Sequence, residues 1–335
     1  MGPIRFEFNG FNKDLVEQLC SRIAEALKEY EFDSFLVGCT FEDYLSDEGK
    51  EILRKEFQPL VVKRLEELLK KKADYSKPQI DILINFNQDL VYFLVHSVYV
   101  TGRYRKYAKL YQTRHYCYRC KGRGCDFCKQ KGVLSNESVE ELIAKYLVPA
   151  FEALSAKFHG AGREDADVRM LGPGREFVMQ IIEPKKRKVD LRHIEKEINE
   201  KEAGKIEVIG LSFCEKETIA KIKAKKSRKV YAATVKCENL PDEAKVVGLL
   251  GQYVVAQRTP TRVLRRRANI LRYRKVEIKK AFIENGFLKL EMIADSGLYI
   301  KEFISGDSGR TDPSISKMLQ QNCECVELDV VDIIE

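Results

Sequence analysis

The chain has 335 residues, 44% of them hydrophobic and 33% charged, with 59 Lys or Arg against 51 Asp or Glu and a net charge of +8. This is the composition of a globular protein with room for two or three domains, and the moderate charge is not that of a histone-like protein. The longest apolar stretch, at 90–100, is too short to span a bilayer, and the first residues lack the pattern of a signal peptide. We therefore expect a soluble, cytoplasmic protein with no membrane partner.

Helical and strand patterns alternate in the first part of the chain. Apolar residues recur at helical spacing in 11–30 and again in 48–72. The strand-like apolar runs are 34–40, 80–86 and 90–99. Together these patterns predict an αβ domain over residues 1–112.

A cationic, tyrosine-rich segment closes this domain. Arg103, Arg105 and Lys106 are interleaved there with Tyr104 and Tyr107. Cations beside rings that can stack are what unpaired RNA bases require, which makes the three cations candidate RNA contacts. The alternative is an ordinary solvated strand end with half-buried tyrosines, and the pattern fits both interpretations equally.

Four of the ten cysteines fall within one short segment, as Cys117, Cys120, Cys125 and Cys128. Two CxxC knuckles supply four thiolates, the ligand set of a tetrahedral structural zinc site. Four cysteines leave no position open for water, so we expect a structural metal rather than a catalytic one. Unpaired thiols, or pairing with distant cysteines, are the alternatives. The segment 113–134 is therefore predicted to be a zinc module.

The remaining residues, 135–335, alternate strand patterns with single helices. A capping box from Ser138 to Glu141 begins the first helix, and Asn285-Gly286 is the signature of a type I′ hairpin. This order predicts an α+β fold with a mixed, largely antiparallel sheet and flanking helices rather than a βαβ repeat. The sequence has no GxGxxG or GKS motif, which argues against an enzyme with a nucleotide cofactor.

The segment 160–177 carries the most informative pattern. Asp165 and Asp167 lie between Arg163 and Arg169, and glycines frame them on both sides. Flanking arginines keep a carboxylate ionised and attract phosphate, while glycines let a substrate approach closely. The pattern predicts a loop with a catalytic carboxylate that meets a polyanion. A solvated turn with scattered charges is the alternative.

Two further segments favour a nucleic-acid substrate. Tyr231 lies in a strand-like run after a lysine-rich stretch, and its ring can stack on a nucleobase, although a lone tyrosine in a strand is more often a core residue. No acid occurs from Arg258 to Lys275, and arginine clusters bind phosphates bidentately. The candidate RNA-binding arginines of this stretch are Arg258, Arg262, Arg265, Arg266 and Arg267.

Residues 297–303 alternate strictly, which predicts a strand with Tyr299, Lys301 and Phe303 on one face. A lysine between two rings on a buried face requires an anionic partner, and a catalytic aspartate would serve. On a solvated face, Lys301 would need no such partner.

Four motifs occur together and in order, namely GREDADVRMLGPGREF, KVYAATV, QRTPTRVLRRRA and GLYIKEFISGDSGRTDPSIS. With them, the chain resembles the archaeal and eukaryotic tRNA pseudouridine synthase family that acts on uridines 54 and 55 of the TΨC arm. The resemblance implies an isomerase whose partner is tRNA, with a THUMP-like RNA-binding domain at 1–112, the zinc module at 113–134 and a pseudouridine synthase domain at 135–335. It implies no organic cofactor and no obligate protein partner.

The resemblance also implies roles for single residues. Asp165 is the expected catalytic carboxylate, with Asp167 as the second choice, and Tyr231 is expected to pack on the target base. Lys301 is expected to pair with the catalytic aspartate. Arg163 and Tyr299 are further expected substrate contacts. The alternative function is a non-catalytic, zinc-containing RNA-binding protein or RNA chaperone, which the basic stretches and the cysteine knuckles would serve equally well.

Overall fold

A computed structural model describes residues 2–8, 10–40, 47–135, 137–265 and 267–334 of the chain. These residues pack into two units that are interleaved along the sequence. The first unit comprises residues up to 100 together with 144–157 and 179–191, and the second comprises 101–143, 158–178 and the residues from 192 onward. Units defined by packing do not test functional boundaries, so the domain limits at 112 and 134 stay a prediction.

The first unit begins with the predicted alternation of helices and strands. Its elements to residue 95 are β1 (Ile4–Arg5), α1 (Lys13–Leu27), β2 (Ser34–Thr40), α2 (Asp47–Ile52), a π-helical turn (Leu53–Phe57), α3 (Gln58–Leu69), β3 (Lys72–Ala73), β4 (Ile80–Asn85) and β5 (Leu90–Val95). Asn12 caps α1, because its side-chain Oδ1 accepts a hydrogen bond of 2.8 Å from the Leu15 amide.

These strands form a five-stranded sheet in the order β1-β5-β4-β2-β3. β2 is parallel to β3 and β4, whereas β5 is antiparallel to β1 and β4. Apolar residues of α1 and α3, among them Leu19, Ile23 and Val61, share one core with Phe35 and Ile82 of the sheet. Burial of these side chains drives the packing of helices on sheet.

The elements that follow are β6 (Val98–Lys106), α4 (Val139–Ala150), β7 (Ser155–Gly160), β8 (Arg169–Ile182), α5 (Leu191–Lys201), β9 (Ile206–Cys214), α6 (Thr218–Ala224), β10 (Arg228–Cys237), α7 (Glu243–Val247), β11 (Gly251–Arg258), β12 (Leu271–Glu284), β13 (Phe287–Ala294), α8 (Ile300–Ser305), β14 (Thr311–Asp312), α9 (Ile315–Leu319) and β15 (Cys323–Ile334). Short 3₁₀ turns occur at Asp126–Cys128, Thr261–Val263 and Asp307–Gly309.

The second sheet is large and mixed. Its strand order is β14-β11-β12-β13-β10-β15-β8-β6-β9, and β7 pairs with β8. β10 lies in the middle and is antiparallel to both β13 and β15. β15 and β8 pair in parallel, with Asp329 opposite Arg169. The predicted α+β class with a mixed, largely antiparallel sheet is confirmed.

Two local predictions are also confirmed. At the start of α4, Ser138 Oγ accepts a hydrogen bond of 3.2 Å from the Glu141 amide and donates one of 2.7 Å to the Glu141 carboxylate. β12 and β13 form an antiparallel hairpin whose turn residues, Asn285 and Gly286, both have positive φ. Both signals are local in sequence, which is why they could be identified without the fold.

Part of the predicted carboxylate loop is a strand. The connection between β7 and β8 spans 161–168, whereas Gly172-Pro173-Gly174 lies inside β8. Gly172 has φ +60°, and a Cβ atom there would meet the carbonyl oxygen of Val331 at 2.1 Å. The glycine therefore allows a close approach of the β15 backbone within a sheet, rather than the close approach of a substrate to a loop that the sequence predicted.

The predicted strand at 297–303 is wrong. Tyr299 is the N-terminal cap residue of α8, and Lys301 lies in the first turn of that helix. Ile300, Phe303 and Ile304 are all buried, and their spacing is that of one helix face. In a strand, Ile300 and Phe303 would lie on opposite faces, so the joint burial of the three side chains is that of a helix.

None of the helices in the described residues is both long enough and apolar enough to cross a membrane.

Candidate active site

A cavity of about 270 Å³ in the second unit collects most of the predicted catalytic residues. The predicted site residues that line it are Arg163, Asp165, Tyr231, Arg262, Arg267, Tyr299 and Lys301. Further lining comes from Arg175, Lys229 and residues of β15. Within the described part of the chain, Asp165 lines this cavity and Asp167 does not. Five elements far apart in sequence thus meet around one carboxylate.

Asp165 is held by an arginine from the basic stretch. Arg262 Nη2 lies 2.8 Å from Asp165 Oδ2, and Arg262 Nε lies 2.6 Å from Glu302 Oε1. Glu302 is buried, and the Arg262 guanidinium lies over the Tyr299 ring, 5.8 Å from its centroid. Three contacts therefore orient Arg262. The structure makes this arginine the partner of the central carboxylate, and its predicted contact with RNA phosphate stays an untested prediction.

Lys301 forms an ion pair with the second aspartate of the loop. Its Nζ lies 2.5 Å from Asp167 Oδ2. Burial raises the pKa of the Asp167 carboxyl, but the hydrogen bond and charge of Lys301, with the charge of Arg262, outweigh burial and hold that pKa below its usual value. The expected pair of Lys301 with Asp165 is thus corrected. Lys301 projects from a helical turn rather than from a strand, and from there it contacts Asp167.

A buried lysine supports the loop through its backbone carbonyls. Lys106 Nζ donates hydrogen bonds to the carbonyl oxygens of Leu110, Asp165 and Ala166, at 2.7, 3.0 and 3.1 Å. The side chain is fully buried, and burial lowers the pKa of its ammonium to about 8. The prediction that Lys106 contacts RNA is therefore wrong. Three backbone acceptors hold this lysine in the interior, where it fixes the turn that carries Asp165.

A buried ion pair lies beside this lysine. Arg175 Nε is 2.8 Å from Glu164 Oε2, and both side chains are about 2% exposed. Tyr104 donates a hydrogen bond of 2.7 Å to Glu164 Oε1, and Gln112 donates one of 2.9 Å to the Tyr104 hydroxyl. Charge pairing and hydrogen bonds together compensate the burial of these groups. The network immobilises the residue that directly precedes Asp165.

Tyr104 is therefore a core residue and not a stacking platform. Burial and the neighbouring Glu164 carboxylate raise its pKa well above the usual value. Arg103 and Arg105 also have partners inside the protein. Arg103 lies 3.1 Å from Glu176 Oε1. Arg105 donates a hydrogen bond of 2.6 Å to the Gly172 carbonyl oxygen and lies 3.0 Å from Glu207 Oε2. Of the two interpretations of this segment, the structure favours a structural strand, and RNA contacts by Arg103 and Arg105 stay untested predictions.

Tyr231 lies in β10 and presents its half-buried side chain to the cavity. Burial raises the pKa of its phenol to about 12, so the hydroxyl is protonated and available as a donor. Lys229, two residues earlier, lines the same cavity, and burial lowers the pKa of its ammonium to about 8. The ring and the cation thus share one strand face.

A second cavity, of about 600 Å³, shares residues with the first. It is lined by Lys226, Arg228, Arg267, Arg272 and Arg274, with Asp295 and Tyr299. Arg267 and Tyr299 line both cavities. A cationic surface therefore continues directly from the carboxylate cavity, and it suits phosphate groups.

Three other arginines of the basic stretch are exposed. Arg258 ends β11 and is exposed, and Arg265 and Arg267 are exposed in the connection to β12. Arg266 lies outside the described residues. Exposed cations of this kind are free to meet a polyanion, whereas Arg262 is already engaged by two carboxylates.

The four cysteines form one compact group. Their sulfur atoms all lie within 4.8 Å of one another, with contacts of 3.7 Å from Cys125 to Cys128 and 3.8 Å from Cys117 to Cys125 and from Cys120 to Cys128. Sulfur atoms bound to one zinc ion at about 2.3 Å in a tetrahedron are about 3.8 Å apart. Backbone amides of Gly124 and Gly132 each donate to a sulfur at 3.2 Å. The group fits a tetrahedral metal ion, and the sulfur separations exclude disulfides.

Sequence reasoning missed the groups that position the site. Glu164, Arg175, Lys229 and Glu302 are all buried and charged, and each contacts or neighbours a predicted site residue. Their residue types carried a signal, because Glu164 and Arg175 lie inside the carboxylate segment itself. Their burial was not indicated locally, because it depends on the folded chain: Glu164 and Arg175 pair across the start of β8, and Glu302 pairs with Arg262, 40 residues earlier.

Comparison with known proteins identifies the family of the chain. The family model described as "Pus10, C-terminal" matches residues 99–334, and that described as "Pus10 THUMP domain, archaeal" matches 19–85. The tRNA pseudouridine synthase Pus10 of Methanocaldococcus jannaschii is 42% identical, covering 96% of this chain and 73% of that protein. The proteins of the same name from Methanopyrus kandleri and Archaeoglobus fulgidus are 41% and 36% identical, covering 96% and 95% of this chain and 79% and 92% of theirs.

Among solved structures, a chain of "Crystal Structure of a Cbf5-Nop10-Gar1 Complex" matches 58% of this chain and 45% of its own length, with a TM-score of 0.35 and 16% identity. This similarity is too low to inform on the fold. The two family models instead cover the predicted THUMP-like region and most of the rest of the chain. The family expected from the four sequence motifs is confirmed, and the chain belongs to the Pus10 family.

Proposed function

We propose that the chain isomerises uridine 54, uridine 55 or both in the TΨC loop of tRNA, with Asp165 as the carboxylate that acts on an extruded uridine. The activity class follows from the family, whose members compared above are tRNA pseudouridine synthases and hence isomerases. The target positions and the role of Asp165 are the proposed part. The observation that carries it is the cavity in which Asp165, Arg262 and Tyr231 converge.

The chemistry needs a carboxylate and a shielded cavity. Isomerisation breaks the N1–C1′ bond of uridine, turns the uracil and joins it to the ribose through C5. C5 then loses its proton and N1 gains one, so the product has the same mass and no oxidant or reductant is needed. The Asp165 carboxylate would act in one of three ways. It would stabilise the C1′ centre, form a covalent bond to C1′, or remove a ribose proton. Arg262 holds the carboxylate in place, and the Tyr231 ring supplies a surface against which the extruded base stacks.

The test of the proposed function is RNA-dependent conversion of uridine. An unmodified tRNA transcript is incubated with the full chain, digested to nucleosides and analysed by chromatography and mass spectrometry. We expect a new nucleoside with the mass of uridine and a different retention time. Binding of the transcript without this product would support the alternative, a non-catalytic RNA-binding protein.

Phosphates of the tRNA are proposed to follow the cationic surface shared by the two cavities. Replacing Arg267 by glutamine is expected to weaken tRNA binding and to reduce the slope of log K against log salt by about 1, because one phosphate contact is lost. Titration of labelled tRNA at several salt concentrations measures the affinity and its salt dependence. The matched control is Lys196→Gln, an exposed lysine of α5 that, among described residues, lines neither cavity. An unchanged slope for Arg267→Gln would remove Arg267 from the phosphate path.

The four-cysteine group is proposed to hold a structural zinc ion. Cys117, Cys120, Cys125 and Cys128 would be its ligands, and their four thiolates would leave no coordination position for a substrate. Bound zinc would contribute folding energy, since the module's buried cluster consists of these cysteines. No step of the isomerisation is assigned to the metal.

Metal analysis tests this assignment. We expect about one zinc ion per chain, and we expect chelation to lower thermal stability while the protein that stays folded keeps its isomerisation rate. Cys117→Ser should reduce the zinc content, whereas Cys214→Ser, outside the group, should not. An immediate loss of rate on chelation, without loss of stability, would instead indicate a catalytic metal.

A further inference from the structure

The segment around the four cysteines exposes three aromatic rings. Tyr116, Tyr118 and Phe127 are 57%, 53% and 45% exposed. The buried cluster of this segment is made by the cysteines, so these rings are not needed to fill a core. Large exposed apolar side chains that cluster on a small module mark a binding surface rather than a packing requirement.

The rings lie beside one another and beside guanidinium groups. Tyr118 and Phe127 meet edge to face, with centroids 5.3 Å apart. The Arg119 guanidinium lies 4.2 Å from the Phe127 centroid, and that of Arg114 lies 5.9 Å from the Tyr116 centroid. Arginine planes and aromatic rings are the two kinds of surface on which unpaired bases stack.

The charge of the segment is complementary to RNA. Between residues 113 and 134 the sequence has six Lys or Arg residues and one acid, Asp126. The cations are Arg114, Arg119, Lys121, Arg123, Lys129 and Lys131. A surface for a protein partner would need fewer charges of one sign at its centre, because desolvating them is costly. A polyanion with exposed bases matches both the rings and the cations.

The backbone fixes these rings before any ligand arrives. Tyr118 lies between Cys117 and Cys120, and Phe127 lies between Cys125 and Cys128 in a 3₁₀ turn. Each knuckle closes on a left-handed residue, Lys121 after the first and Lys129 after the second. Because the cysteine group ties the two knuckles together, Tyr118 and Phe127 are held at a set separation. Preorganised rings lose little entropy when a base stacks on them.

We propose that Tyr118 and Phe127, flanked by Tyr116 and Arg119, form a stacking site for unpaired nucleobases of the RNA substrate, separate from the carboxylate cavity. The proposal deepens the proposed function and rests on it for the identity of the RNA. The site supplies base contacts, and the surrounding lysines and arginines supply phosphate contacts. Neither contact takes part in the isomerisation itself.

The test compares variants of the full chain in binding to unmodified tRNA. Tyr118→Ala and Phe127→Ala are each expected to weaken binding by about 5- to 150-fold, the range for loss of one stacked base. The slope of log K against log salt should not change, because no cation is removed. Tyr118→Phe keeps the ring and should bind like the unchanged protein, whereas Tyr118→Leu should behave like Tyr118→Ala. Phe213→Ala, at a comparably exposed ring in β9, is the matched control.

Further measurements separate this proposal from the proposed function. Zinc content shows that each variant keeps the module, and the isomerisation rate at saturating protein should equal that of the unchanged chain. The unchanged chain and the same variants should bind a perfect RNA duplex with equal affinity. Binding of tRNA by Tyr118→Ala and Phe127→Ala at full strength would overturn the stacking site, as would an equal loss of affinity for duplex RNA. Absence of isomerisation in the unchanged chain would overturn only the proposed function.

Discussion

Replacing Asp165 by asparagine is expected to lower the isomerisation rate by about 10³-fold or more, because the substitution removes the charge that acts at the reacting sugar. The rate is measured in single turnover with protein in excess, so that binding does not limit it. Affinity for tRNA should be unchanged or slightly higher, since phosphate contacts dominate binding and one negative charge is removed. Arg262 keeps its second partner, Glu302, so the surrounding structure should persist.

Asp167→Asn is the matched control for this prediction. Asp167 lies two residues away in the same loop and has its own lysine partner, but within the described residues it does not line the cavity. Its replacement should leave the isomerisation rate within about tenfold of that of the unchanged chain, because only positioning of the loop is affected. The opposite ranking, with Asp167→Asn inactive and Asp165→Asn active, would transfer the catalytic role to Asp167.

Replacing Glu164 by glutamine is expected to destabilise the second unit by about 3–5 kcal/mol, the range for breaking a buried ion pair. Arg175 would then remain buried without a neutralising partner, since its contact with Glu164 is 2.8 Å and neither side chain reaches solvent appreciably. Urea unfolding followed by fluorescence measures the change, and the transition of the second unit should shift to lower urea. Adding Arg175→Met should recover much of the lost stability, because it removes the uncompensated charge.

The control for Glu164→Gln is Glu291→Gln. Glu291 pairs with Lys280 across β12 and β13 at 2.9 Å, and the two side chains are 37% and 64% exposed, in contrast to the buried pair. Loss of such a pair should cost about 1 kcal/mol or less. Equal effects of the two substitutions would mean that the Glu164–Arg175 pair is as weak as a surface pair.

The parts of the fold that the sequence predicted well have local causes. The capping box at Ser138, the hairpin turn at Asn285 and the cysteine knuckles each need only a few neighbouring residues. The segment around Lys301 was harder, since a short apolar pattern fits both a strand and a helix until its buried face is known. The two glycines around Pro173 are similarly compatible with a loop and with a strand. In the structure they lie in a strand, where neighbouring backbones approach them closely.

The candidate site was predictable in its members but not in its pairings. Asp165, Tyr231 and Lys301 do line one cavity, as the motifs suggested. Which cation meets which carboxylate depends on side-chain reach across the folded chain, and sequence order cannot supply it. Lys106 is the clearest example, because its backbone acceptors at Asp165 and Ala166 come 59 and 60 residues later and turn an apparent surface cation into an interior one.

The measurement that tests the central claim most directly is position-by-position mapping of pseudouridine in an unmodified tRNA transcript, after incubation with the unchanged chain and with Asp165→Asn in parallel. If the Asp165 carboxylate acts on the TΨC loop, the unchanged chain should convert uridine at position 54, position 55 or both, and Asp165→Asn should convert neither. Conversion confined to other positions, or equal conversion by Asp165→Asn, would contradict it.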